Sequence, residues 1–313
     1  SLIAYNAESR VVESMRPNGV LLAQITPRGG RISGTSSIVQ LDAWNWEDAV
    51  IKADDGVHLN WPSTFSRGRW WLGEDPGLKS NPKYSSQTSE IEAYFNNSKA
   101  NINNAKAKLN LPLNAMRGLF DQSKTLYIHV NDEKGIVDAV EFSKSQGLSK
   151  SVIVGGYEAY KLADYLKENK IPVLLRRVHS RPDNDDDDYD LPYKMAYLLV
   201  EAGVTVGLET SGDMERMNSR NLPFYAGTTV AHGLSKEQAL QLITLNTAKI
   251  LGIDSHYGSL EVGKSATLFI SSGDALDMRT NNLTNAFIDG RNISLESHQT
   301  ELWKRYSKKY EKN

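Results

Sequence analysis

The stretch TLYIHVNDEKGIVDAVEFSKSQGLSKSVIVGG (125–156) holds one complete strand–helix–strand unit. Residues 125–130 and 151–156 are short runs rich in β-branched and aromatic side chains. Between them Ile136, Val137, Val140 and Phe142 recur at helical spacing before a glycine stop. Two strands joined through a helix of this length are expected to lie parallel. The unit repeats, because YEAYKLADYLKENK (157–170) leads into IPVLLR (171–176), and GVTVGLE (203–209) extends the series. Upstream, GVLLAQI (19–25), SIVQLD (37–42) and GVHLNW (56–61) also read as strands. A run of seven favours an α/β fold of the (β/α)8 TIM-barrel type over a flat doubly wound sheet.

Alternation along 125–131 puts Tyr127, His129 and Asn131 on one face. In a barrel that polar face points toward the mouth, which makes His129 either a ligand or a hydrogen-bonded core histidine. The segment 62–124 breaks the rhythm. PSTFSRGRWWLGEDPGLKSNPKYSSQ reads as a long loop, followed by the helical pattern SEIEAYFNNSKANINNAKAKLN. We expect this Trp-rich insert to rise over the C-terminal ends of the strands. After residue 235 a capping box, Ser235 with Gln238 three positions on, opens SKEQALQLITLNTAKILGI. Short strands with glycine turns then follow, and 296–313 reads as a terminal helix. The expected organisation is a barrel over 1–257, a β-segment over 258–295 and that helix.

Composition narrows the function classes. With 40% hydrophobic and 24% charged residues the chain is an ordinary globular one, and a net charge of −2 gives no electrostatic case for nucleic acid or an anionic membrane. No apolar window is long enough for a membrane helix. The absence of cysteine excludes disulfides, thiol catalysis and thiolate metal sites. The chain opens on Ser1 with SLIAYNAESR, which reads as the interior of a domain. We therefore expect an upstream segment holding the first barrel strand, and with it any export signal, so the compartment is not readable here.

The three stretches ALQLITLNTAKILGI (239–253), GSLEVGKSATLFI (258–270) and AFIDGR (286–291) resemble the C-terminal segment of the amidohydrolase superfamily, its imidazolonepropionase-like and dihydroorotase-like members in particular. The resemblance implies a distorted (β/α)8 barrel and a small sandwich domain completed by the β-segment. It also implies hydrolysis of non-peptide C–N bonds, in a cyclic amide or amidine, by water activated on a divalent metal, zinc above all. In that frame 19–25 is the second barrel strand. The superfamily's His-x-His pair, expected on the first, occurs nowhere in this chain.

Carried over position by position, the resemblance puts His129 at the strand-five ligand and His58 near the strand-four ligand. Gly155 and Gly156 fall at the strand-six histidine, and Ser211 at the catalytic aspartate of strand eight. Asp213 and Glu209 are the nearest carboxylates that can replace that aspartate as proton acceptor. Arg28, in the loop TPRGGRISGTSS, together with Asn60, Tyr127 and His179 are candidate substrate contacts. TPRGGRISGTSS is neither a P-loop nor a dinucleotide fingerprint. The tryptophans of WNWED and NWPSTFSRGRWW read as packing for an irregular insert before they read as an aromatic wall, and DNDDDDYD (183–190) as a solvated acidic loop.

Two functions compete. One is an amidohydrolase with a degenerate or truncated metal site, acting on a small molecule. The other is a non-catalytic relative that binds a small molecule or a partner, either as a homo-oligomer or by pairing with the segment upstream. Carbohydrate recognition through the tryptophans ranks third.

Overall fold

A computed structural model describes residues 1–75, 77–104, 108–212 and 217–311. The strands β1 (Leu22–Ile25), β2 (Ile32–Gln40) and β3 (Val50–Asn60) begin the main sheet, and β4 (Phe65–Arg67) with β5 (Leu78–Ser80) form a separate hairpin. The strands β6 (Thr125–Val130), β7 (Ser151–Gly155), β8 (Val173–Arg176) and β9 (Val206–Glu209) complete it in the order β1-β2-β3-β6-β7-β8-β9. The seven strands curl into a half-barrel.

Only β3, β6, β7, β8 and β9 run parallel; β1 pairs antiparallel with β2, and β2 with β3. This corrects the expectation that 19–25 is a parallel barrel strand. The connections 26–31 and 41–49 are shorter than the dozen or so residues that a parallel crossover needs, so the chain has to turn back. The glycine-rich stretch is likewise split. Its first part is the β1–β2 loop, and from Ile32 onward it is strand.

The helix Glu133–Ser145 forms as its spacing predicts. The Asp132 side chain accepts from the Gly135 amide at its N-terminus, and Ile136, Ala139, Val140 and Phe142 are buried. The helix Tyr84–Asn103 corrects a second expectation. It buries Ile91 and Phe95, and the Phe95 ring stands edge-on to Phe142 at 4.9 Å. It therefore lies in the outer helical layer, as the crossover from β3 to β6, and does not lie over the mouth. Trp61 is buried there with its Nε1 donating to the Tyr84 hydroxyl, while Trp44 and Trp71 are exposed.

Each face of the sheet has its own core. Val57, Leu59, Leu126, Ile128, Ile153, Val173, Leu175 and Val206 face outward into the helices. Ile38, Tyr127, Val152, Val154 and Leu174 face inward, where Ala248, Ile250, Leu251 and Ile253 cover them. The covering helix, Leu245–Leu251, stops at Gly252 in the left-handed region (φ 64°), and Lys52 Nζ donates to the Leu251 carbonyl at 3.3 Å. Its predecessor, Lys236–Ile243, carries the capping box foreseen at Ser235 and Gln238. Replacing Ser235 by Ala removes the acceptor for the Gln238 amide. We expect a loss of about 1 kcal/mol, read as a lower urea midpoint at unchanged slope; an unchanged midpoint would show that the cap contributes nothing.

Downstream, β10 (Leu268–Ser271), β11 (Leu283–Ile288) and β12 (Arg291–Asn292) form a three-stranded antiparallel sheet. Ala286, Ile288 and Ile293 pack with Leu21, next to β1. The terminal helix is His298–Ser307.

Candidate active site at the half-barrel mouth

Register decides which side chains meet on the inner face. Asn60 pairs with His129, His129 with Val154, and Val154 with Leu174; one step below, His58 pairs with Tyr127. The two histidines are brought together, with His58 Nδ1 lying 2.8 Å from His129 Nε2. Beneath them the Tyr127 ring stacks on His58, with centroids 4.8 Å apart and planes 13° from parallel. Gly56 makes room for that ring, since a Cβ there would fall 2.2 Å from Tyr127 Cε2. The Tyr127 hydroxyl donates to Asp55 Oδ2 at 3.1 Å, and Gln24 Nε2 donates to the same oxygen at 2.7 Å.

The tautomers follow from burial. A neutral pair at this distance needs one donor and one acceptor. If His129 donates, His58 must carry its proton on Nε2, which is buried and meets no partner among the described residues. A buried orphan N–H is costlier than an unused acceptor. His58 Nδ1–H is therefore the donor, and His129 holds its own proton on Nδ1.

Both rings are neutral at physiological pH. Burial, with a smaller contribution from the charge of His129, pushes His58 down to about 3. Burial, with a smaller contribution from the Arg28 guanidinium, pushes His129 down to about 4. Neither is then an efficient general base at pH 7, where such a base ought to titrate. Both are fixed hydrogen-bonding groups. Burial drives the Asp55 carboxyl the other way, above its ordinary range, although its hydrogen bonds to Ser36, Gln24 and Tyr127 oppose the shift.

The other expected site residues divide. Arg28 reaches across the mouth and donates to the Gly212 carbonyl at 2.8 Å. Asn60 spends its amide on the Gly30 carbonyl and the Ser33 hydroxyl, so it holds the β1–β2 loop and is not a ready substrate contact. Tyr127 is fully buried under His58, which corrects its assignment as a substrate contact. Glu209, the register partner of Arg176, stands at the end of β9 and accepts from the Ser211 amide. His179 lies beyond β8 with Nε2 2.6 Å from the Thr228 hydroxyl and its ring edge-on to Tyr225, apart from the histidine pair. Asp213 lies outside the described residues.

The residue beside His129 on strand β7 is Val154 and not Gly155. Gly155 has the opposite parity and a φ of 96°, and a Cβ there would fall 2.6 Å from Asn131 Oδ1. The position beside His129 on the inner face is therefore filled by an apolar side chain. Among the described residues no three His, Cys, Asp or Glu converge as a metal would require. Two imidazoles on one zinc, at about 2.0–2.1 Å each in tetrahedral geometry, stand roughly 3.4 Å apart. The observed 2.8 Å is a hydrogen bond. As built, these residues do not fit a metal ion, and no step through one follows from them.

Comparison with known proteins gives the same fold. Residues 193–293 match the amidohydrolase family. The imidazolonepropionase of Syntrophobacter fumaroxidans is 38% identical over 82 residues, which are 26% of this chain and 19% of that protein. The imidazolonepropionase of Flavobacterium psychrophilum is 29% identical over 110 residues, 33% of this chain and 27% of the relative. The matches thus span less than a third of these curated relatives. An amidohydrolase from Thermotoga maritima MSB8 superposes with a TM-score of 0.80 at 22% identity, covering 94% of this chain and 76% of its own. The chain resembles the amidohydrolases in sequence, imidazolonepropionases among them, and has the fold of one.

Proposed function

We propose that this protein is an amidohydrolase-type hydrolase acting on a non-peptide C–N bond of a small cyclic amide or amidine. The observation that carries the reading is the pair His58–His129. Two neutral imidazoles are held on the inner face near the C-terminal ends of parallel strands, where barrels of this kind build their sites. The amidohydrolase match over 193–293 supports it. A neutral imidazole fixed by its neighbour donates to a carbonyl or amidine without changing its own charge, and the Glu209 carboxylate stands at the same rim. A metal-activated water, which the resemblance implies, takes at least three protein ligands, and the described residues supply two.

A second reading is a barrel that binds a small molecule without turning it over. Val154 and Leu174 in line with His129, and Ser211 where the superfamily has an aspartate, favour it.

Ring opening of five- and six-membered cyclic amides and amidines by the purified protein, with zinc content measured after dialysis, separates the two. The hydrolase reading expects turnover that drops about 100-fold or more in His129→Ala. Binding of panel members without turnover establishes the second reading. In either case zinc is expected well below one equivalent, and stoichiometric zinc that survives dialysis would overturn the account of the donor set.

A further inference from the structure

Asp55 is a buried carboxyl that the functional reading above does not use. We propose that Asp55 is a positioning residue: it ties down the Tyr127 hydroxyl, Tyr127 holds the His58 ring from below, and the hydrogen bond from His58 to His129 depends on both. The proposal rests on that pair being the working part of the mouth, as argued above.

Strand geometry alone would turn Asp55 away from the pair. Alternation along β3 puts Gly56, His58 and Asn60 on the inner face and Asp55 on the outer one. The register breaks just before it. Ser36 faces Gly56 while Ile38 faces Lys52, so two steps along β2 answer four along β3. Asp54 stands inside that bulge with φ 49°, a left-handed backbone that a residue other than glycine adopts only at a cost. Two hydroxyls keep it there: Thr35 donates to Asp54 Oδ1 at 2.7 Å, and Ser37 accepts from the Asp54 amide at 3.1 Å. A bulge re-aims the side chain beside it, and this one delivers the Asp55 carboxyl to Tyr127.

Stability does not account for the arrangement. Asp55 is 2% exposed, and its Oδ1 is buried with no partner among the described residues, a cost that an apolar side chain would not carry. Its Oδ2 is where neighbouring strands converge, since Gln24 from β1 donates to it at 2.7 Å and Tyr127 from β6 at 3.1 Å. With its hydroxyl end tied, the Tyr127 ring fills the space that Gly56 leaves and sets the plane of His58, 13° from its own. The bond of 2.8 Å to His129 needs His58 Nδ1 aimed along it, and a hydrogen bond weakens steeply as the donor turns away.

Proton NMR on protein isotope-labelled in histidine and tryptophan reads that bond without ligand or turnover. The His58 Nδ1 proton should exchange slowly with solvent in the parent. So should the indole proton of Trp61, which lies in the other core and donates to the Tyr84 hydroxyl at 2.9 Å. Tyr127→Phe keeps the ring and loses the tie. It is expected to speed exchange of the His58 proton about 10-fold, the weight of one hydrogen bond of ordinary net strength, and to leave Trp61 unchanged. Asp55→Ala should do the same, whereas Asp55→Asn keeps an oxygen for the Tyr127 hydroxyl and should stay within about 3-fold of the parent. A His58 proton that Tyr127→Phe leaves unmoved would overturn the role. So would one that moves in step with Trp61, which reports a loss of packing alone, or an Asp55→Asn as fast as Asp55→Ala. If Asp55→Ala does not fold, Tyr127→Phe and Asp55→Asn decide between them. A parent without the slow proton has no pair, which removes the functional reading along with this role. The expected exchange pattern in a protein that hydrolyses nothing would remove the hydrolase reading alone, and turnover with an indifferent His58 proton would remove the role of Asp55 alone.

Discussion

Acid is expected to destabilise this protein steeply between about pH 6.5 and pH 4, through the two histidines at the mouth. Their folded values lie near 3 and 4, against 6.5 for a solvated imidazole. In this window the unfolded chain binds protons at both positions that the folded chain refuses. Stability therefore rises with pH, is complete above the unfolded value, and is lost as pH falls toward the folded values. At about 1.4 kcal/mol for each pKa unit, the pair accounts for on the order of 5 kcal/mol by pH 4, or a fall in Tm of roughly 10 °C or more. Asp55 works in the opposite sense. Its raised carboxyl contributes stability that is present below its unfolded value and is lost as pH rises through its folded one. Thermal unfolding across pH 4–8 should show the acid limb in the parent, a shallower limb in His58→Gln and in His129→Gln, and the parent's limb retained in Asp55→Asn. A parent limb no steeper than those of the histidine variants would mean that the rings titrate normally and are not buried as described.

That acid limb depends on two residues that the sequence does not place side by side. His129 was legible on the inner face, because alternation in 125–131 needs only the strand itself. His58 lies 71 positions away, and its contact with His129 depends on β3 and β6 pairing in one register. Register is set by packing across strands and not by local pattern. The same gap explains Val154. Counting along SVIVGG toward a family position lands on glycine, whereas the sheet puts valine beside His129. The strand–helix rhythm from 125 to 209 was legible, because the first crossover helix carries its own periodicity and the Asp132 cap, and the strands that follow it recur at crossover spacing. The helix Tyr84–Asn103 was legible as a helix but not as a crossover, because an irregular stretch with a hairpin separates it from β3. The antiparallel start is legible only in the short connections 26–31 and 41–49, and strand composition carries no sign of it. Asp55 gave no signal at all. In sequence it is one of two adjacent aspartates before a glycine, and only Tyr127 and Gln24, from two other strands, show that it is the buried one.

If Val154 is what keeps a metal from this mouth, then Val154→His should create a zinc site. Val154 is the register partner of His129 and points to the same face, so an imidazole there stands one strand from His129 and two from His58. Three imidazoles and an open position make up the donor set of a catalytic zinc. The His58–His129 hydrogen bond has to open by roughly 0.6 Å to reach the ligand separation of a tetrahedral site. His129 Nε2 is already bare, and the His58 proton has only to move from Nδ1 to Nε2 for Nδ1 to bind the metal. Replacing valine by a polar ring among Ile253, Leu174 and Val152 is expected to cost the metal-free protein about 1–3 kcal/mol. Zinc should more than restore it, because binding at 100 times Kd adds about 2.7 kcal/mol. The expected result is a zinc affinity at least about 100-fold above the parent's, beyond the 10–100-fold that outer-shell partners alone contribute. It should appear as a zinc-dependent rise in Tm that is absent from the parent and abolished by adding His129→Ala to Val154→His. A variant that folds and gains no zinc would show that the pair His58–His129 cannot open, and that the missing ligand is not what separates this mouth from a metal centre.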